Sequence, residues 1–419
     1  MTDVLITNDA IVLGILLSIL AIVFKTSSSE SKGWKKFYTF VPPLLMCYFL
    51  PSVLTTIGVY SPDESKLYFV ASRYLLPACL VFLTLSIDLK GILNLGPKAI
   101  IMFLAGTFGI ILGGPLAIFS VGLLFPDLFM LDGEPIWRGM TTIAGSWIGG
   151  GANQTAMYEM YKPSDALFSA MIAVDIIVAN IWLAFLLYGS GMSTKIDKWL
   201  KSDVSAIEKL KEKTEAYRNQ IAVIPTLNQT IFILAIGFGV TAIAHLGADY
   251  FAPLMDKYKG DYEIINNFNL NSGFFWLIVI STTIGLALSF TPARKLEGAG
   301  ASRFGSLFIY VLVATIGMKM DITAVANSPG FFLIGIVWML FHVAVLLITA
   351  KIIKAPFFFV AVGSQANVGG AASAPIVASA FHPSLATVGV LMAVVGYAAG
   401  TYGAIICARL MEIVFGWAI

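Results

Sequence analysis

Charge is what this chain has least of: Asp, Glu, Lys and Arg make up 12% of its 419 residues. Soluble domains carry about a quarter, so half that share marks an integral membrane protein. Histidine and cysteine are scarce too, at three each. His245, His342 and His382 lack the spacing of a metal site. Cys47, Cys79 and Cys407 fall inside apolar runs, which predicts small buried hydrophobes. There is no HExxH pattern, and no Ser/His or paired-Asp arrangement near the glycine-rich segments, which argues against an intramembrane enzyme. No basic residue precedes the apolar run Ala10–Phe24, as a cleaved secretory signal would need, so this run is expected to stay as a helix. The net charge of +2 gives no argument for nucleic acid or an acidic partner.

What the chain does have is apolar length. Hydrophobic residues reach 58%, and runs of roughly 18 or more read as membrane spans. They lie near 8–24, 38–60, 68–88, 99–125, 164–190, 228–248, 273–290, 303–320, 330–350 and 384–415. The expectation is an all-α integral membrane protein of about ten spans. Two glycine-rich segments, near 137–160 and 356–380, interrupt the series as re-entrant hairpins or as broken crossing helices. Each half of the chain then holds the same kinds of element.

Those segments repeat one another. Gly145-Ser-Trp-Ile-Gly-Gly-Gly-Ala-Asn-Gln154 returns in altered form as Gly363-Ser-Gln-Ala-Asn-Val-Gly-Gly-Ala-Ala372. Flanking residues follow: Tyr161-Lys-Pro-Ser164 answers Phe381-His-Pro-Ser384, and Met171-Ile-Ala-Val174 answers Leu391-Met-Ala-Val394. The reading is two inverted repeats, 1–190 and 228–419, joined by a cytoplasmic linker at 191–227. The linker, notably Ser193–Gln220, is rich in Lys and Glu. Basic residues collect in cytoplasmic loops, here Lys25–Lys36, Lys90 and Lys98, the linker, Arg294–Arg303, and Lys351 with Lys354. All of these share one side only if both glycine segments enter and leave on the same face. That puts both termini outside, and it inverts the second half relative to the first.

A hairpin tip exposes backbone amides and a half-helix N-terminus, which favours anions. Ser146, Gly150, Gly151, Asn153 and Gln154 in one tip are expected to bind a solute. Ser364, Gln365, Asn367, Gly369 and Gly370 are their counterparts in the other. The competing reading is that glycine and alanine only permit close helix packing. Asp175, at mid-span after the first segment, is expected to bind a coupling cation with Asn180, Asn153 and Thr155; the alternative is a structural hydrogen bond. Arg73 reads as snorkelling or pairing with a loop acid.

The paired motifs, the inverted halves and the basic mid-chain linker resemble the uncharacterised YjcL-like membrane proteins. These belong with sodium/glutamate symporters, 2-hydroxycarboxylate transporters, bile-acid symporters and cation/proton antiporters. The resemblance implies an elevator: a transport domain carrying both hairpins slides along a fixed scaffold, with a homodimer formed through the scaffold. The function expected is a secondary active transporter in the cell (inner) membrane, moving a small polar or anionic solute such as an amino acid, short peptide or carboxylate. Sodium is the expected coupling ion and a proton the alternative; membrane lipid is the other partner, and no cofactor is implied. A channel or holin-like pore is the reading from another class.

Overall fold

The computed structural model describes residues 5–418 apart from 42, 63, 204–206, 208–224, 269, 321–328 and 383–384. The chain is almost wholly helical. Its first half comprises α1 (Asp9–Ser27), α2 (Lys32–Phe40), α3 (Pro43–Thr56), α4 (Leu67–Leu85), α5 (Pro97–Gly122), α6 (Trp137–Gly149), α7 (Gly151–Tyr161) and α8 (Asp165–Gly191). Then come α9 (Ser193–Leu200), α10 (Leu227–Tyr258), α11 (Gly273–Ser289), α12 (Ala301–Gly317), α13 (Gly330–Ile353), α14 (Phe357–Val368), α15 (Gly370–Phe381) and α16 (Ala386–Ala418).

Local chemistry sets many of the boundaries. Asn8 and Ser164 cap α1 and α8 by accepting backbone N–H bonds, and Thr226 with Gln229 forms a capping box on α10. Pro97 opens α5 at its first turn. A π-helical turn at Ala71–Leu75 lies inside α4 and carries Arg73. In the loop before α6, Asp132-Gly133, both at positive φ, close a two-residue hairpin between Met130–Leu131 and Glu134–Pro135.

A helix lies over each of the ten expected apolar runs, but not all are long enough to cross a bilayer alone. Among the described residues seven helices are long and apolar enough, or eight if α2 and α3, bent by 87° at their junction, count as one. The 17 residues of α11, and the 17 of α12, reach about 26 Å at 1.5 Å per residue, short of a hydrocarbon core of about 30 Å. The linker begins as α9, which is docked rather than free: Asp197 Oδ1 accepts the Phe357 N–H at 2.8 Å, and the Lys351 ammonium lies 4.2 Å from the Trp199 ring centre. Most of the remaining linker lies outside the described residues.

The helices pack as two groups with sparse contact between them. One holds α1, α3, α4, α10, α11 and α12; the other holds α5–α8 and α13–α16. Each group draws on both halves of the sequence. The most extensive pairing in the second group is α5 on α13, where glycines let the backbones approach. A Cβ on Gly113 would lie 2.6 Å from Trp338 Cδ1, and one on Gly109 would lie 3.1 Å from His342 Cα. Small residues at such crossings are the usual means of helix association in lipid. The three cysteines are buried, as their apolar context predicts.

Gly113→Val should overpack this crossing and destabilise the protein by about 1–3 kcal/mol. Gly14→Val serves as the control, since a Cβ there meets nothing within 4 Å. Thermal unfolding of the two variants in detergent checks the difference.

Candidate functional site: two opposed hairpin tips and a buried carboxylate

Both glycine-rich segments fold as antiparallel helical hairpins. In the first, Arg138 Nε donates to the Tyr161 carbonyl at 3.0 Å, and a Cβ on Gly145 would lie 2.5 Å from the Asn153 carbonyl oxygen. The start of α6 therefore meets the end of α7. In the second, the Phe357 and Phe381 rings lie 6.0 Å apart, and Gln365 Nε2 donates to Ser373 Oγ at 2.7 Å. The turns fall at Gly150 (φ 77°) and at Gly369-Gly370, with Gly370 at φ 57°. A Cβ disfavours both conformations, which explains glycine at these two positions. Neither α7 nor α15 has a side-chain N-cap, so the first-turn amides of both tips are left to other partners.

The tips converge on α16. A Cβ on Gly396 would lie 2.8 Å from the Ile148 carbonyl oxygen and 3.4 Å from that of Ala366, so one glycine separates the two hairpins. Gly149 packs as closely on Gly400, 2.7 Å from its Cα by the same construction. Sequence reading did not single out these residues. The spacing Gly396, Gly400, Gly403 was the available signal, a small-residue stripe on one helix face.

Asn153 and Asn367 sit at the convergence and bind protein. Asn153 Nδ2 donates to the Gly149 and Tyr397 carbonyls at 3.1 and 3.0 Å, and its Oδ1 accepts from Thr401 at 2.7 Å. Asn367 Nδ2 donates to the Gly363 and Phe103 carbonyls at 2.9 and 3.0 Å, and its Oδ1 accepts from Thr107 at 2.7 Å. Each asparagine thus grips a carbonyl and the threonine four residues later, on α16 and α5 respectively. Both amides have both N–H groups engaged by protein carbonyls. Thr155 is likewise turned inward, to the Gly151 carbonyl at 3.0 Å.

Ser364 belongs to a second network. Trp182 Nε1 donates to its Oγ at 2.8 Å, and His342 Nε2 lies 2.8 Å away on the other side. His342 Nδ1 is 3.0 Å from the Gly106 carbonyl, which can only accept. Nδ1 therefore carries a hydrogen and donates it to that carbonyl. Gln365 differs: its Nε2 is bonded, while its buried Oε1 has no partner among the described residues. A Cβ on Gly370 beside it would meet nothing within 4 Å, so this tip borders open space.

Asp175 lies behind the first tip with 4% of its surface exposed. Gln154 Nε2 donates to its Oδ2 at 2.8 Å, and Tyr48 Oη donates to the other end of the same amide at 3.2 Å. Ser146 and Trp147 flank the carboxyl. Among the described residues no lysine or arginine pairs with Asp175. Asn180 does not join it. Five residues along a helix turn the side chain some 140° away, and Asn180 is exposed, its Nδ2 donating to the Ile176 carbonyl at 2.7 Å.

A polar cluster joins the two helix groups at the open end of the first hairpin. Arg73 Nη1 pairs with Glu159 Oε2 at 2.9 Å, and Tyr68 donates to the other oxygen of Glu159. Lys319 Nζ lies 3.6 Å from Asp165 Oδ1, 3.3 Å from Tyr158 Oη and 4.7 Å from the Tyr68 ring centre. Arg73 thus meets a hairpin acid, not a loop acid, and Glu159 is a second buried acid that mid-span reasoning overlooked. Beside the cluster a cleft of about 660 Å³ opens between the groups, with Arg73, Arg138, Lys162, His245 and Asp249 on its walls.

Residues 14–414 match the family described as Protein of unknown function (DUF819). The chain is also similar to the protein named "Uncharacterized membrane protein YjcL" of Bacillus subtilis (strain 168). They are 25% identical over 356 residues, which covers 84% of this chain and 85% of that one. With its span-length helices, the chain is a multi-pass membrane protein.

Because both asparagines hold helix crossings, Thr401→Val and Thr107→Val should each destabilise the fold by about 1–3 kcal/mol, the cost of a buried acceptor left unmade. Asn180→Ala should stay within about 0.5 kcal/mol of the parent, as surface changes usually do. Chemical unfolding in micelles reads all three.

Proposed function

We propose, on the premise that this chain belongs to the DUF819 family, that it is a secondary active transporter for a small polar or anionic organic solute. The observation that carries this reading is Asp175: a buried carboxylate with no cationic partner among the described residues, one hydrogen-bonded step from a hairpin tip. A lone buried charge costs several kcal/mol, and a bound cation or a proton removes that cost. Ion occupancy at Asp175 and solute binding at the tips thereby share Gln154. The tips offer uncapped helix N-termini and the free Gln365 carbonyl, which suits a solute bearing a carboxylate together with a hydrogen-bond donor.

The division of the helices supports an elevator. On this reading the group with both hairpins carries the site, and the group containing α10 is the scaffold and the seat of a homodimer. Repeats 1–190 and 228–419 would be inverted, the linker cytoplasmic and both termini outside. The Arg73–Glu159 and Lys319–Asp165 pairs bridge the two groups beside the cleft at the first hairpin, while the Gly370 tip of the second borders open space. Sodium is the first choice of coupling ion. A proton is the second reading, because protonation of Asp175 would also remove its buried charge.

A solute screen by thermal shift, with and without sodium, should find a ligand that raises apparent stability by about 2.7 kcal/mol at a hundred times its Kd. Asp175→Asn, which keeps the shape and removes the charge, should abolish cation-driven accumulation in proteoliposomes and spare solute binding. Full concentrative uptake by that variant would defeat the assignment. Glu159→Gln should shift the balance of states by about fivefold or more, in the usual range of coupling between sites. It would be read as slower labelling of a cysteine introduced at Ser373, with solute affinity at saturation unchanged.

A further inference from the structure

Helix α2 plays no part in the crossing of the hairpins, and its nine residues, Lys32-Gly-Trp-Lys-Lys-Phe-Tyr-Thr-Phe40, carry two interleaved stripes. Lys32, Lys35 and Lys36 stand at i, i+3 and i+4, and so share one face. Trp34, Phe37 and Tyr38 stand at the same spacing two residues on, which puts them on the opposite face. Residues 32–37 are all exposed, including Trp34 at 43% and Phe37 at 38%. The three aromatic rings contact one another, with the Phe37 and Tyr38 centres 5.0 Å apart.

Placement gives the stripes a direction. α2 meets α3 at 87°, so it lies across the axis of the helix it leads into. Tyr38 Oη bonds Thr26 Oγ1 at 2.7 Å, which pins α2 to the end of α1, next to Lys25. Glu30, paired with Lys35, is the one acid in the sequence from Lys25 to Tyr38. A short helix held flat at the end of a span, with cations on one face and aromatic rings on the other, has the form of an interfacial anchor.

We infer that α2 is a docking helix for anionic phospholipid, binding headgroup phosphates through Lys32, Lys35 and Lys36 while Trp34 and Phe37 enter the leaflet. Basic segments next to a span are attracted to anionic leaflets, and each lysine near the surface adds to that attraction. A soluble anion would not need the aromatic face, and a protein partner would not need it to be level with the end of α1.

The test uses the full chain in vesicles. Its natural cysteines are all buried, so a cysteine introduced by Phe37→Cys or Lys36→Cys takes an environment-sensitive fluorophore selectively. In vesicles with phosphatidylglycerol the probe at position 37 should report an apolar setting shielded from aqueous iodide, and the probe at 36 a quenchable one. Equal quenching at both positions overturns the proposal. In a second arm, phosphatidylglycerol added to micelles should raise the melting temperature of the parent more than phosphatidylcholine does. The triple variant K32Q/K35Q/K36Q should lose most of that difference and K32R/K35R/K36R should keep it. An undiminished response in the glutamine variant, or the same stabilisation by inorganic phosphate alone, also overturns it.

Discussion

A helix that breaks inside a membrane leaves backbone N–H and C=O groups that lipid cannot satisfy. This fold breaks two helices, at Gly150 and at Gly369-Gly370, and much of its architecture follows from making those breaks tolerable. Other protein must surround each tip. Here α16 lies between them with glycines at the points of contact, and Asn153 and Asn367 tie the tips to α16 and α5. The breaks are then sheltered by protein and still leave, among the described residues, helix N-termini without side-chain caps and one glutamine carbonyl without a partner.

The same constraint explains why the helices divide into two groups. Elements that shelter the tips must pack tightly on them, and α5, α8, α13 and α16 do so from both halves of the sequence. The remaining long helices pack on one another instead. Where the groups meet, polar and ionic contacts are prominent: Arg73 with Glu159, Lys319 with Asp165, and Tyr48 with Gln154. Interfaces of this kind can separate and re-form without exposing a large apolar face.

Much of this was legible in the sequence because its signals are local or periodic. Apolar runs gave the helices, glycine gave the breaks, and the placement of lysine and arginine favoured hairpins over crossing helices. Asp175 stood out because a carboxylate inside an apolar run needs a reason. Other features were hidden by distance along the chain. Arg73 and Glu159 are far apart in sequence, and nothing local shows that the π-helical turn bearing one faces the hairpin bearing the other. Asn180 misled for the opposite reason: it is near Asp175 in sequence but on another face of the same helix. The asparagines were recognised as important from their setting in the glycine segments. That their amides are engaged by Tyr397, Thr401, Phe103 and Thr107 depends on which helices cross there, and no single-chain pattern carries that information.

The paired grips on Asn153 and Asn367 carry a mechanical consequence. Each tip is fastened to a long helix by two hydrogen bonds from one side chain, with a backbone carbonyl and a threonine on that helix as anchors. Swinging either hairpin aside by itself would strand a buried amide on one side and a threonine hydroxyl on the other. Neither tip is therefore suited to serve as an independent lid. In the proposed elevator, the hairpins, α16 and α5 would therefore travel as one piece.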